Sequence, residues 1–187
     1  MFRSTLQLTR QLSDALLQFP ALVRAFERKT PQALPQLLAW IDATEQTLSG
    51  HRLVAAADVA GFKSRVLAPI FDDEKRGTLR RRQLTAAALL LHDLQQSVQL
   101  ALQPHAAKVE QARGIARQLL QIVAQSGAVQ WDPEASYEDM IDRIWLLCTS
   151  HDQLKPLAAQ LKMLLPTHDI RLLLAEEADP ADFVQAG

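Results

Sequence analysis

The sequence predicts an all-α protein: a bundle of about six to eight helices, with an up-down antiparallel core and a small C-terminal helical subdomain. Three observations lead there. Apolar residues recur at spacings of three and four along most of the chain, the period of a helix buried on one side. Only six glycines are spread through 187 residues rich in Ala, Leu and Gln, and glycine is costly inside a helix where Ala and Leu are favourable. β-Branched residues are sparse and never cluster, which removes the usual basis of a sheet.

The first helix is predicted over 4–19, with Leu8, Leu12, Ala15, Leu16 and Phe19 on one side. Pro20 is expected to end or bend it, because proline lacks an N–H and crowds the preceding turn; a short helix over 21–28 then follows. Thr30-Pro31 is a start signal for a helix from Leu34 or Pro35 to Leu48, and Ser49-Gly50 is a stop in which Gly50 can turn left-handed. Residues 51–70 read as a less regular helix closed by Pro69, and 71–78 as a charge-dense polar connection.

The strongest pattern follows. Leu84, Ala87, Leu91, Leu94, Val98 and Ala101 form one seam, and Val109, Ala112, Ala116, Leu119 and Val123 form a second. A hairpin at Gln103-Pro104 is the favoured reading, and one long helix kinked at Pro104 is the alternative. A loop over 126–134 precedes a cap at Ser136 with Asp139 three residues on. Tyr137 to Cys148 and Leu154 to Leu165 carry two more stripes, with Pro156 in a first turn. Residues 167–177 read as a short helix, although DIRLLLA alone also fits a strand, and Asp179-Pro180 caps a final turn. The 126–136 loop is the candidate boundary between a main bundle, 1–126, and a C-terminal subdomain, 136–187, with a single domain 1–187 as the alternative.

The net charge is −1. Binding to nucleic acid or anionic lipid usually rests on a clear positive excess. The longest apolar run, 86–91, is far too short to span a bilayer. One cysteine, Cys148, excludes an internal disulfide and a cysteine-built zinc site, and together with an N-terminus lacking an apolar signal core it points to the cytoplasm. Cys148 reads as a small core residue; pairing with His151 is the chemical alternative.

Three His-Asp dipeptides occur, at His92-Asp93, His151-Asp152 and His168-Asp169. The segment 88–94, ALLLHDL, resembles the ligand helix of HD-domain metal phosphohydrolases. The resemblance implies a metal site in which His92 and Asp93 are joined by an upstream histidine, here His51, and by a downstream aspartate, Asp132, Asp139 or Asp142. A metal held there would activate a bound water. The competing reading leaves His92 and Asp93 in solvent beside the Leu91 and Leu94 seam, and gives Asp152 and Asp169 the task of satisfying helix N-termini.

Lys75, Arg76, Arg80, Arg81 and Arg82 form a basic cluster that could contact phosphates, although Asp72, Asp73 and Glu74 precede it and offset its field. Trp131, in the long loop, and Trp40, beside its helix stripe, are the candidate interface anchors; for Trp131 the alternative is a plug that pins the loop to the bundle. No Walker loop, dinucleotide fingerprint, nucleophile elbow or HExxH sequence is present. The expectation is therefore a bacterial-type, cytoplasmic, non-enzymatic interaction or regulatory module without a cofactor. It binds a protein partner or itself, with the metal phosphohydrolase and a nucleic-acid-binding domain as alternatives.

Overall fold

The computed structural model describes residues 3–69, 78–132, 134 and 136–184. Among these the chain is all-α and contains no strand: α1 Thr5–Glu27, α2 Ala33–Gly50, α3 Ala55–Leu67, α4 Leu79–Ser126, α5 Tyr137–Ser150, α6 Lys155–Leu164, α7 Thr167–Glu177 and a 3-10 turn Pro180–Phe183. No helix among the described residues is long and apolar enough to cross a membrane. Contacts divide the chain into two compact units, Gln7–His105 and Met1–Leu6 with Ala106–Gly187. The 126–136 connection lies inside the second of these.

In the unit 7–105, α1, α2, α3 and the first part of α4 enclose one apolar cluster that includes Leu12, Phe19, Leu37, Ile41, Leu48, Val59, Ala87, Leu94 and Val98. The connection after α1 is short, and the Trp40 indole N–H donates to the Ala15 carbonyl at 2.8 Å, so α1 and α2 lie antiparallel. Both helices end in the same motif. Thr30 N–H reaches back to Ala25 O and Lys29 N–H to Phe26 O; Leu53 N–H reaches Leu48 O and Arg52 N–H reaches Ser49 O. This is the Schellman arrangement, with the left-handed residue just past the helix. Lys29 (φ 54) and Arg52 (φ 56) occupy that position. The expected left-handed stop at Gly50 is thus displaced: Gly50 remains helical and Arg52 takes the turn two residues later.

Neither proline ends its helix, so at Pro104 the single-helix alternative stands in place of the favoured hairpin at Gln103-Pro104. Pro20 lies inside α1 and Pro104 inside α4, a single helix of 48 residues. Each proline removes one N–H, leaving the carbonyl four residues back without its helical donor. Both prolines are exposed, so water can serve that carbonyl. Buried residues follow within a few positions on either side, Phe19 and Leu22 around Pro20, Val98 and Val109 around Pro104. Burial of those flanks holds the helix through the defect.

In the unit formed by 1–6 and 106–187, the later part of α4 packs with α5, α6 and α7. Val109, Ala116, Leu119, Met140, Ile144, Leu161, Ile170 and Leu173 are among its core residues. Ser136 caps α5 as expected: its hydroxyl accepts from Asp139 N–H at 3.1 Å and donates to Asp139 Oδ2 at 2.7 Å. Pro156 stands in the first turn of α6, and 167–177 is helix. Asp179 caps the final turn by accepting from Ala181 N–H. The Tyr137 hydroxyl lies 2.8 Å from both Ala175 O and Ala178 O, so its one proton serves the frayed end of α7. Together with the Arg171–Asp142 ion pair, this sets α5 and α7 antiparallel.

Asp169 has no exposed surface. Its Oδ2 accepts from the backbone N–H groups of Thr5 (2.6 Å) and Leu6 (3.2 Å), the first turn of α1. The carboxylate also sits in the first turn of its own helix, α7, where the dipole favours negative charge. Its Oδ1 has no hydrogen-bond partner among the described residues. Asp169→Ala is expected to cost about 1–3 kcal/mol in urea denaturation, because a buried amide and a partly buried one lose their acceptor; Asp169→Asn should cost less, since an amide oxygen still accepts. A change of only a few tenths in Asp169→Ala would refute the assignment. For Pro104→Ala, restoring a donor to the Leu100 carbonyl should raise stability by about 1 kcal/mol or more; an unchanged or lowered midpoint would show that the proline costs α4 nothing.

Candidate functional site

The residues that the metal reading requires are spread out. His92 and Asp93 are both exposed on the regular part of α4, and adjacent residues on an undistorted helix point about 100° apart. His51 is half-buried in the turn after α2. Among the described residues, no three His, Cys, Asp or Glu side chains gather into a group that could hold a metal. The aspartates considered as downstream ligands each have a local partner. Asp132 accepts from Glu134 N–H, Asp139 closes the Ser136 cap, and Asp142 pairs with Arg171. Asp152 pairs with Lys155 at 2.6 Å, and His151 and His168 are exposed.

Of the basic cluster, Lys75 and Arg76 lie outside the described residues. Arg80 and Arg81 are exposed and Arg82 is partly buried. Arg80 Nη2 donates to the Pro31 carbonyl at 3.0 Å, so its guanidinium helps fix the start of α4 to the segment before α2. Other cations are similarly engaged. Lys63 pairs with Asp42, and Arg65 lies 5.5 Å from the Phe62 ring centre. Arg113 meets Glu110, Glu176 and Glu177. Its Nε approaches Glu177 Oε1 at 2.6 Å but leaves no aligned hydrogen bond, so that contact is charge attraction; Arg117 Nε makes the aligned bond to Glu177 Oε2, also at 2.6 Å. A hollow of about 560 Å³ beside this network is floored by Leu120 and Ala124 and rimmed by Arg117 and Asp182. Its charges are largely neutralised from within.

Both candidate interface tryptophans are used in packing. Trp40 is 7% exposed, bonded to Ala15 and in edge contact with Phe19 at 5.0 Å between ring centres. Trp131 is half-buried against the apolar cluster of its unit. Its ring meets Tyr137 edge-on at 6.2 Å, and its backbone N–H donates to Phe183 O. That geometry is the loop pin. Cys148 has no exposed surface. Burial pushes its thiol up to about 11, with its own backbone hydrogen bond pulling slightly the other way. A thiol so disposed is a poor nucleophile at neutral pH.

One surface feature stands out in the unit 7–105. An open trough of about 660 Å³ runs along α1 and α2, walled by Ala15, Ala21, Ala39 and Ala43 with Asp14 on its rim. Thr44, 2% exposed, is part of its wall, and Thr44 Oγ1 has no hydrogen-bond partner among the described residues. Asp14 is the only ionisable side chain in the lining, so the trough offers packing surface without acid–base equipment. A second surface feature is a set of leucines on solvent-facing sides: Leu17 is 77% exposed, Leu89 71%, Leu100 60% and Leu146 67%. The signal was available, since each falls outside the seam of its own helix.

The raised thiol of Cys148 yields a pH prediction. The unfolded thiol loses its proton near 9.0 and the folded one near 11. The stabilisation is complete below the unfolded value and is lost as pH rises through the folded one. Tyr137, raised by burial and then by the nearby Asp179 carboxylate, acts in the same alkaline direction. Urea stability is expected to fall by on the order of 2 kcal/mol across this window, and Cys148→Ala should flatten much of the fall. An equal fall in that variant would remove Cys148 as the cause. No protein-family model, no curated protein and no solved structure matches this chain.

Proposed function

We propose that the chain is a non-enzymatic helical protein-interaction module of the cytoplasm, acting through exposed apolar helix faces. The observation that carries this reading is on α4. Leu89 and Leu100 are 71% and 60% exposed, and a separation of eleven residues returns to the same side of a helix within about 20° after three turns. His92, Gln96 and Gln103 share that side, and Asp93 is the one carboxylate beside it. Single exposed leucines need no explanation. Two in line, about 16 Å apart on a weakly charged strip, give a partner two apolar points on one side of the helix. The ionisable groups support the same reading, because the histidines and carboxylates stay dispersed and the basic side chains described above largely serve local contacts.

The test is a photo-cross-linking side chain at Gln96 in the full chain, expressed in its own cells. A discrete adduct is expected, and it should disappear in a Leu89→Glu/Leu100→Glu variant. Both leucines are solvent-facing, so the variant should keep its helical spectrum and lose less than about 0.5 kcal/mol of stability. No adduct, or an adduct unaffected by the double substitution, would overturn the proposal.

A further inference from the structure

A different face, on α1, carries a pattern that is its own complement. Asp14, Leu17, Ala21 and Arg24 are all exposed, Leu17 at 77%. Their spacings of three, four and three place them within one side of the helix, over about 15 Å. Among the described residues neither the Asp14 carboxylate nor the Arg24 guanidinium has an ion-pair partner. Read backwards, the order is a cation, a small residue, a large apolar residue and an anion. An antiparallel copy of the same helix therefore sets Arg24 against Asp14 and Ala21 against Leu17, at both ends of the contact.

We infer that α1 pairs with α1 of a second copy of this chain, antiparallel about a two-fold axis level with Phe19. Leu17 then sits over Ala21 of the second copy, a knob over a small-residue gap, and Asp14 meets Arg24 of the second copy. Two-fold symmetry makes each contact twice. Asp14 and Ala21 also border the alanine-walled trough, which leaves room for the backbones to approach. The same register brings Arg10 opposite Arg28 of the second copy. Both are exposed and lie at the outer ends of the contact, where solvent and salt screen the repulsion. A contact built on one helix face lies at the small end of specific interfaces, so a micromolar equilibrium is expected.

The inference rests on the reading of the chain as an interaction module, but it uses a face that the α4 experiment does not probe. The test is sedimentation equilibrium of the full-length chain over a range of concentrations. Wild type should show a monomer–dimer equilibrium, and Leu17→Asp should weaken it about tenfold or more. Asp14→Arg and Arg24→Asp should each weaken self-association about threefold to tenfold. An equimolar mixture of those two variants should pair again, because one copy then offers two cations and the other two anions. That cross-recovery is a signature that general loss of structure does not produce. A monomer at every concentration overturns the inference, as does a dimer indifferent to these substitutions. A cross-linker at Gln18 that captures another protein in place of a second copy overturns it too. In each of those cases the adduct at Gln96 still reports separately on the α4 face.

Discussion

Both apolar clusters depend on burying one seam of α4. Ala87, Leu91, Leu94 and Val98 serve the cluster of the unit 7–105, and Val109, Ala112, Ala116, Leu119 and Val123 serve the other. Pro104 weakens so long a helix from within, and most helical stability in proteins comes from packing an amphipathic face. The seam supplies that packing on either side of Pro104, and the remaining helices of each unit are positioned by what they can cover.

That seam was the most legible part of the fold, and the prolines were the least. Periodicity identified the helical class, both stripes of α4 and the stripes of α5, α6 and α7. Pro20 reads as an end or a bend and Pro104 as a hairpin before a kinked single helix, because a local rule sees the missing donor and not the burial nearby. The phase of the pattern does not decide between the readings: Val98 and Val109 are eleven residues apart, a spacing that one helix or two can carry. The ends of α1 and α2 misled in a related way. Gly50 looked like the stop, yet the Schellman bonds set the left-handed residue by counting back from Leu53 to Leu48, and the residue found there is Arg52.

The long-range polar ties were beyond sequence reading. Asp169 was understood as a helix-start residue, and it is one, but the amides it satisfies belong to Thr5 and Leu6, more than 160 positions away. The sequence places the HD at 92–93 beside a seam and those at 151–152 and 168–169 near helix starts; only burial separates these last two. Asp169 is fully enclosed, while Asp93 and Asp152 are exposed. The same holds for Tyr137 on the end of α7 and Trp40 on the Ala15 carbonyl. An amphipathic side chain whose body is apolar reads as core, and its polar tip finds a backbone acceptor that no local rule identifies.

These ties also bear on function. A reactive centre needs titratable groups brought together and left partly unsatisfied, because a group locked in a structural hydrogen bond is not free to exchange protons with a substrate. In this chain many polar groups go to backbone duty: Asp169 and Ser136 to helix starts, Tyr137 to a helix end, Arg80 to the Pro31 carbonyl. At the surface the fold leaves charged side chains, Asp14, Arg24 and Asp93 among them, and large apolar ones. Leu17, Leu89 and Leu100 belong to neither apolar cluster, and leucine surface left in water gains nothing for an isolated monomer. Their exposure therefore favours a reading in which stability is complete without them and their value is realised on contact with another surface.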